Sequence, residues 1–332
     1  MENKFKGIRQ MISNTPLMEI SLLYKGKPMK IYAKAEYFNL SGSIKDRVAY
    51  YILKKAYETG AIKPGDTIVE ATSGNTGIAF SAMAAYLGHP MVVYMPDWMS
   101  EERIKIMQSY GATVELVSHE EGGFLGSISK SEELAKNDNV FLPGQFSNPD
   151  NVAAHIEDTA KETLRQLEEF GTKPDCVVAG VGTGGTIMGL AKAFKAANPG
   201  CIARPLEPKN SPTLSTGYKT GAHKIAGISD EFIPPICKLD ELDEVVSVDD
   251  IDSIIMAQKL SRELGIGVGI SSGANFIGSV ISLLESDTAK TCVTVFADDN
   301  KKYLSTDYAK TFEAKDEYIS THIELVGVRT VR

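Results

Sequence analysis

Short apolar runs rich in β-branched residues alternate with amphipathic stretches along most of the chain. The runs that predict strands are Ile31–Ala35, Thr67–Glu70, Met91–Met95, Thr113–Val117, Cys176–Ala179 and Cys292–Phe296. Helices are predicted between them, at Thr76–Leu87, Glu157–Glu169 and Asp250–Leu264, where apolar residues recur at helical spacing. Gly88 and Gly111 lie where left-handed helix ends are expected. This alternation predicts an α/β protein in which helices cover parallel sheets.

One long segment without Asp, Glu, Lys or Arg needs a separate interpretation. It runs between Glu70 and Asp97 and is long enough to cross a bilayer. Gly88-His89-Pro90 divides it, however, which favours a helix followed by a buried strand. We therefore expect no membrane span.

Composition narrows the classes of function. The 332 residues carry a formal charge of −8 and no cluster of Lys and Arg, so nucleic acid is not an expected partner. The four cysteines are widely spaced and form no CxxC pair, which gives no support to a zinc site. The N-terminal residues lack the apolar segment of a signal peptide, and a cytoplasmic location is expected.

Three loops carry residue types that suit catalysis. The first, residues 39–47 with the sequence NLSGSIKDR, presents Lys45 at the start of a predicted helix. The positive end of the helix dipole disfavours the ammonium form of a lysine there, which favours imine chemistry. A surface lysine that follows a loop is the alternative interpretation.

The other two loops each lie between a predicted strand and a predicted helix. The second, TSGNTG at residues 72–77, clusters hydroxyl and backbone N–H groups that suit a carboxylate, although it is also typical of a helix N-cap turn. The third, GTGGT at residues 182–186, offers glycine N–H groups that suit a phosphate. A weak dinucleotide pattern, Gly180-x-Gly182-x-x-Gly185, overlaps it, but a nucleotide-binding interpretation leaves the other two loops without a role.

Six motifs, taken in order, resemble the cysteine synthase family. They are NTPL at residues 14–17, SGSIKDR at 41–47, TSGNTG at 72–77, GTGGT at 182–186, ISSG at 270–273 and KYLS at 302–305. The resemblance covers residues 8 to 310. It implies a fold type II pyridoxal-phosphate (PLP) enzyme, with two doubly wound α/β domains and the cofactor in the cleft between them. It also implies a homodimer, a small mobile domain at residues 37–149, a large domain at 1–36 and 150–310, and a C-terminal tail at 311–332.

The resemblance also assigns roles to individual residues. Lys45 is expected to hold PLP as a Schiff base and later to move the substrate's Cα proton, while Asn75 faces the cofactor's 3′-oxygen. The carboxylate of a small amino-acid substrate is expected to bind Thr72, Ser73, Thr76 and Gln145, with Ser73 also counted as catalytic. The cofactor phosphate is expected to bind Gly182, Thr183, Gly184, Gly185 and Thr186.

The chain departs from the family pattern at four places. Leu40 replaces the proline that is usual before the lysine loop, which is a tolerable change of backbone. Residues 158–162, DTAKE, replace the family's TTGPE, and the sequence assigns them no consequence. Residues 297–300, ADDN, place Asp299 where the family has a serine that pairs with the pyridine nitrogen, so Asp299 is expected there unless the loop is shifted and both acids face water. Residues 227–232, GISDEF, place Asp230 where the family has GIGAGF beside the substrate's β-carbon; an outward-facing side chain is the alternative.

Asp230 changes the expected reaction. A carboxylate about 4 Å from incoming HS⁻ costs roughly 4 kcal/mol at an effective dielectric near 20, which slows sulfide addition by about a thousandfold. Neutral water escapes this penalty and can give its proton to the carboxylate. The expected reaction is therefore L-cysteine plus water to L-serine plus hydrogen sulfide through an α-aminoacrylate, as in the cysteine (hydroxyl) lyases. The alternatives are an ordinary cysteine synthase, which uses O-acetyl-L-serine and sulfide, and a non-catalytic binding protein on the same scaffold.

Overall fold

The computed structural model describes residues 1–229 and 231–332, which form two β-sheets with helices packed on them. The strands are β1 (Leu17–Tyr24), β2 (Lys27–Ala35), β3 (Thr67–Ala71), β4 (Met91–Pro96), β5 (Thr113–Val117), β6 (Val140–Phe141), β7 (Cys176–Gly180), β8 (Ile202–Pro208), β9 (Val246–Val248), β10 (Cys292–Phe296) and β11 (Ile323–Val331). The α-helices are α1 (Glu2–Ile8), α2 (Lys45–Thr59), α3 (Asn75–Leu87), α4 (Glu101–Ser109), α5 (Gly123–Leu134), α6 (Asp150–Ala154), α7 (Lys161–Glu169), α8 (Gly185–Ala197), α9 (Thr213–Thr216), α10 (Asp250–Leu264) and α11 (Ile270–Glu285). A π-helical turn spans His155–Ala160, and 3₁₀-helices span Arg9–Met11, Glu36–Phe38, Leu239–Glu241, Asn300–Tyr303, Asp307–Ala309 and Ile319–His322.

The larger sheet has seven strands in the order β11-β1-β2-β10-β7-β8-β9. Strands β2, β10, β7, β8 and β9 run parallel, which confirms the prediction from the alternating pattern. Strands β1 and β11 are antiparallel additions that the pattern did not predict. Lys25 and Gly26 have φ values of 48° and 77°, so they form the tight turn that joins β1 to β2. The C-terminal segment 311–332 is more than a tail, because it supplies the edge strand β11.

The smaller sheet has four parallel strands in the order β5-β4-β3-β6. All four lie inside the segment 37–149, and the strands of the larger sheet all lie outside it. The domain boundaries and the mobility of the smaller unit stay predictions.

The uncharged segment that follows Glu70 is a helix and a strand, as predicted. Helix α3 is buried on nearly all sides and ends at Gly88, which has a φ of 89°. Gly111, with a φ of 84°, likewise follows the end of α4. Within the described ranges, no helix is both long and apolar enough to cross a membrane.

The parallel strands place the predicted loops together. Strand β3 leads into the loop at 72–77, and β7 leads into the loop at 182–186. Because ligands of open α/β sheets bind outside the carboxyl ends of the strands, this arrangement points both loops at one cleft.

Candidate active site

One cleft brings the three predicted loops together. Its wall contains Lys45, residues 72–76, Gln145, residues 182–184 and Thr186. Of the predicted polar site residues that the structure describes, only Asp299 is missing from the wall. The third loop lies more than 100 residues after the second in the chain, so their convergence is a result of the tertiary fold.

Lys45 is the first residue of helix α2, and the carboxylate of Asp46 shapes the turn that precedes it. Asp46 accepts hydrogen bonds from the Ser41 N–H at 2.9 Å, the Ser41 hydroxyl at 2.7 Å and the Ser43 N–H at 3.3 Å. Burial raises the pKa of Asp46 to about 6, against the opposing effect of these hydrogen bonds. The acid after the lysine therefore folds the loop rather than entering the cleft.

The loop at residues 72–77 is predicted to bind the substrate carboxylate and is called the substrate loop below. Side-chain hydrogen bonds tie it to Gln145. The Thr76 hydroxyl donates to Gln145 Oε1 at 2.6 Å, and Gln145 Nε2 donates to the Ala71 carbonyl at 2.7 Å. The Gly74 N–H donates to Thr72 Oγ1 at 3.1 Å. These bonds hold hydroxyl, amide and backbone groups on one side of the cleft, the arrangement that suits a carboxylate.

The loop at 182–186 forms a cradle of the size and polarity that a phosphate needs. Gly184 has a φ of 86°, and Gly185 begins helix α8, so backbone N–H groups point toward the cleft at a positive helix end. A Cβ at Gly182 would lie 2.5 Å from the Gly227 carbonyl oxygen, so a larger residue does not fit. Asn151 Nδ2 supports the cradle by donating to Thr183 Oγ1 at 3.0 Å. The residues present therefore fit a cofactor phosphate.

Sequence reasoning missed one residue under this cradle, the buried His155. Its Nε2 lies 3.3 Å from Thr186 Oγ1 and its Nδ1 lies 3.0 Å from Thr159 Oγ1. Burial, together with the nearby charges of Lys45 and Arg47, lowers the pKa of His155 well below its ordinary value. His155 is therefore a neutral support for the cradle. No local pattern in the sequence signals it, because it lies inside a helical segment.

Asn75 is held at the cleft by hydrogen bonds to two charged residues that follow strand β10. Its Nδ2 donates to Asp298 at 2.8 Å, and its Oδ1 accepts from Lys302 Nζ at 3.0 Å. Tyr303 also donates to Asp298, at 2.6 Å. This placement suits the predicted role of Asn75 at the cofactor ring.

The structure places Asp299 elsewhere. Its carboxylate accepts from the Lys301 N–H at 3.1 Å and lies 3.2 Å from Lys301 Nζ. The position does not favour the prediction that Asp299 pairs with the pyridine nitrogen. Ser271, in the first turn of α11, is buried and lies in the cleft wall.

Asp230 lies outside the described residues, but both of its chain neighbours are described. Ser229 and Glu231 line an outer cavity that shares Ser73 with the cleft. Ser229 has a φ of 55°, and its hydroxyl donates to the Ser211 carbonyl at 3.0 Å. Ser229 is thus anchored in the wall of a cavity that also contains Ser73.

The sequence assigned no consequence to the DTAKE segment at residues 158–162. Its two acids, Asp158 and Glu162, form ion pairs with Arg47 in the first turn of helix α2. Arg47 is fully buried, and its Nε donates to Glu36 at 2.6 Å. Its Nη2 lies 3.0 Å from Glu162 and its Nη1 lies 3.0 Å from Asp158. Asp158 also accepts two hydrogen bonds from Arg9, at 3.0 and 2.6 Å. These contacts fix the start of the helix that begins at Lys45.

Glu162 extends the same network to the NTPL motif. It accepts from the Asn14 N–H at 2.6 Å and the Thr15 N–H at 2.8 Å, and it pairs with the buried Lys34. The NTPL motif therefore has a structural role, because its backbone binds Glu162 of the DTAKE segment.

We expect Asp158→Asn to lower the free energy of unfolding at pH 7 by about 2–4 kcal/mol, because it leaves buried Arg47 short of a partner. Burial alone would raise the pKa of Asp158, but Arg9 and Arg47 outweigh it and lower that pKa to about 2. The folded pKa is depressed, so this contribution is present above the unfolded pKa of about 4 and is lost as the pH falls toward 2.

Urea unfolding of both proteins across this pH range measures the effect. Glu169→Gln is the matched control, since it removes an exposed ion pair with Arg165 and should cost only about 0.3–0.5 kcal/mol. Equal losses in the two variants would contradict the network's role.

The comparisons with known proteins agree with this site. Residues 8–298 match the family described as pyridoxal-phosphate dependent enzymes. A probable cysteine synthase of Bacillus subtilis is 42% identical over 298 residues, which is 90% of this chain and 95% of that protein. The chain belongs to the pyridoxal-phosphate-dependent enzymes and, within them, to the cysteine synthase family.

Two solved structures resemble the chain over its whole length. A hydrogen sulfide-producing enzyme from Fusobacterium nucleatum is 53% identical, with a TM-score of 0.97 and coverage of 100% of both chains. An Asp-to-Asn variant of that enzyme, complexed with an α-aminoacrylate intermediate, has a TM-score of 0.96 at 53% identity and covers 99% of this chain and 100% of its own. The PLP cofactor and the fold type II architecture expected from the sequence are thereby confirmed.

Proposed function

We propose that this enzyme converts L-cysteine and water into L-serine and hydrogen sulfide. The observation that carries the proposal is that Ser229 and Glu231, the chain neighbours of Asp230, line a cavity that shares Ser73 with the cleft. The likeness to a hydrogen sulfide-producing enzyme supports it. Further support comes from that enzyme's Asp-to-Asn variant, which holds an α-aminoacrylate intermediate, the species expected when water addition lacks its base.

The residues would divide the work by position. Thr72, Ser73, Thr76 and Gln145 orient the substrate carboxylate. The cradle at 182–186 holds the cofactor phosphate, and Asn75 contacts the ring. PLP, when bound to Lys45, supplies an electron sink for the substrate's Cα. Lys45 itself accepts the Cα proton, because the site places it in the wall of the same cleft.

Asp230 would decide between water and sulfide at the β-carbon. After the sulfur has left with its electron pair, the carboxylate accepts a proton from the incoming water as the new C–O bond forms. The same charge opposes the return of HS⁻ by roughly 4 kcal/mol at about 4 Å. The charge therefore favours addition of water over addition of sulfide at the β-carbon.

Product analysis of the PLP-loaded enzyme with L-cysteine as sole substrate tests the proposal. We expect serine and sulfide in equal amounts, with continued turnover. Pyruvate and ammonia in place of serine would contradict the water-addition step. The related cysteine synthases favour one other candidate, the condensation of O-acetyl-L-serine with sulfide. Rapid cysteine formation from that pair, with no sulfide release from cysteine, would establish this candidate instead.

We also propose that the smaller unit, residues 37–149, closes over the substrate and that the enzyme is a homodimer in the cytoplasm. Both proposals rest on the family resemblance. Sedimentation of the purified enzyme measures the oligomeric state.

A further inference from the structure

Arg103 is a buried cation that the proposed reaction does not use. It lies on helix α4 with a relative exposure of only 8%. It lines the substrate cleft and also the outer cavity whose wall includes Ser229 and Glu231. Arg103 is therefore part of the wall that the two cavities share.

The guanidinium of Arg103 forms no ion pair with a carboxylate in the part of the chain that the structure describes, and its buried Nε has no hydrogen-bond partner. Its aromatic contact is with the ring of Tyr303, at 5.2 Å from the centroid. Burial of a cation without an anionic partner is costly, so such a side chain is a candidate ligand for an anion.

The other basic residues around the outer cavity differ from Arg103 in this respect. Lys219 lies 3.6 Å from Glu231, and Lys224 pairs with Asp307. Among the described residues of the wall, Arg103 is therefore the Arg or Lys side chain that has no acidic partner and so can pair with an anion in this cavity.

Packing fixes Arg103 against the substrate loop. A Cβ at Gly74 would lie 2.9 Å from the Cδ and Nε atoms of Arg103, so the glycine leaves the space that the arginine fills. Tyr303, which packs on the guanidinium, is itself fixed by its hydrogen bond to Asp298. The charge is thus pre-positioned next to Ser73, on the side that faces the outer cavity.

We propose that Arg103 forms an anion subsite that binds hydrosulfide after it leaves the β-carbon and before it escapes through the outer cavity. This inference rests on the proposed function and adds a binding step to it; no bond is made or broken at Arg103. Hydrosulfide is the product with a net negative charge, since L-serine is a zwitterion. The substrate carboxylate is accounted for by the hydroxyl and amide groups of residues 72–76 and Gln145.

Product inhibition of the PLP-loaded enzyme by added hydrosulfide tests the subsite. Arg103→Gln should raise the inhibition constant for hydrosulfide by about ten- to a hundredfold, the effect of one lost hydrogen bond to a charged group. Arg103→Lys retains the charge and should stay close to wild type, and so should Lys219→Gln, which removes a paired cation. Inhibition by L-serine should be unchanged. An unchanged hydrosulfide constant in Arg103→Gln would overturn the proposal.

A second readout does not depend on turnover. Trp98, the single tryptophan of the chain, lines the same outer cavity and stacks on His119 at 3.6 Å. In the wild type, iodide should quench the fluorescence of Trp98 more strongly than neutral acrylamide does. Arg103→Gln should abolish this excess of iodide quenching over acrylamide quenching. If the excess survives in Arg103→Gln, the anion subsite is wrong. If L-cysteine yields no sulfide while the excess depends on Arg103, the subsite stands and the proposed function fails.

If Arg103→Gln does not fold, the subsite can still be tested on the wild type. Crystals soaked in bromide would show by anomalous diffraction whether an anion binds at Arg103. We expect anomalous density within hydrogen-bond distance of the guanidinium that is lost when hydrosulfide is added. Absence of bromide at Arg103, or bromide that hydrosulfide does not displace, would contradict the proposal.

Discussion

Lys45→Ala is expected to abolish sulfide release from L-cysteine, by a factor of about 10²–10⁴ or more, while the protein remains folded. The residue is proposed both to bind the cofactor covalently and to move the Cα proton, and a positioned acid–base group alone contributes a factor of that size. The loss should accompany a change in the visible absorbance of the purified protein. Lys54→Ala, on the exposed side of the same helix, is the matched control and should retain full activity.

Chemical reduction shows whether Lys45 or a second lysine near the cleft holds the cofactor. Treatment of the PLP-loaded enzyme with borohydride should leave the cofactor permanently attached to the peptide that contains Lys45. Lys302, which donates to Asn75 at 3.0 Å and to the Gly42 carbonyl at 3.2 Å, is the competing candidate. A label on Lys302 would overturn the proposed site.

Asp230→Asn is expected to release about one sulfide per active site and then to stop. Asparagine keeps the size of the side chain but cannot accept the proton of water, so the step after sulfide release should slow by about 10²–10⁴-fold. Rapid-quench measurement of sulfide, with serine measured in parallel, detects the burst. In the wild type, the two products should increase together.

Glu231→Gln is the matched control for Asp230→Asn, because it changes the adjacent acid of the same loop. Glu231 lies 3.6 Å from Lys219, so its loss should leave turnover nearly unchanged. Normal production of serine by Asp230→Asn would show that this carboxylate does not serve as the base. The ordinary cysteine synthase reaction would then be the better explanation.

The sequence by itself determined the elements and loops whose signals are local. Runs such as Thr113–Val117 and Cys292–Phe296 coincide with strands because β-branched residues favour a pleated strand. Gly88 ends a helix because its left-handed φ of 89° suits glycine. The order of the six motifs was enough to identify the family and its cofactor, since each loop's residues contribute their own polar groups to the site.

Tertiary structure decided whatever depends on partners that are distant in the chain. The antiparallel strand β11 pairs with β1 across roughly 300 residues, and no pattern within either strand specifies that partner. Asp158 was unexplained until its contacts with Arg9 and Arg47 were visible. Ion pairs of this kind depend on which side chains the fold brings within reach, and a one-dimensional pattern does not contain that information.

The same reason explains the placement of the acids after β10. The spacing of the motif favoured Asp299 as the cofactor ligand, yet Asp298 is the buried acid that contacts Asn75, and Asp299 caps the following turn. A shift of one residue in an extended segment exchanges the side chain that faces the core for one that faces solvent. Motif spacing located the loop, and only the packing of the two sheets' loops decided which carboxylate is turned inward.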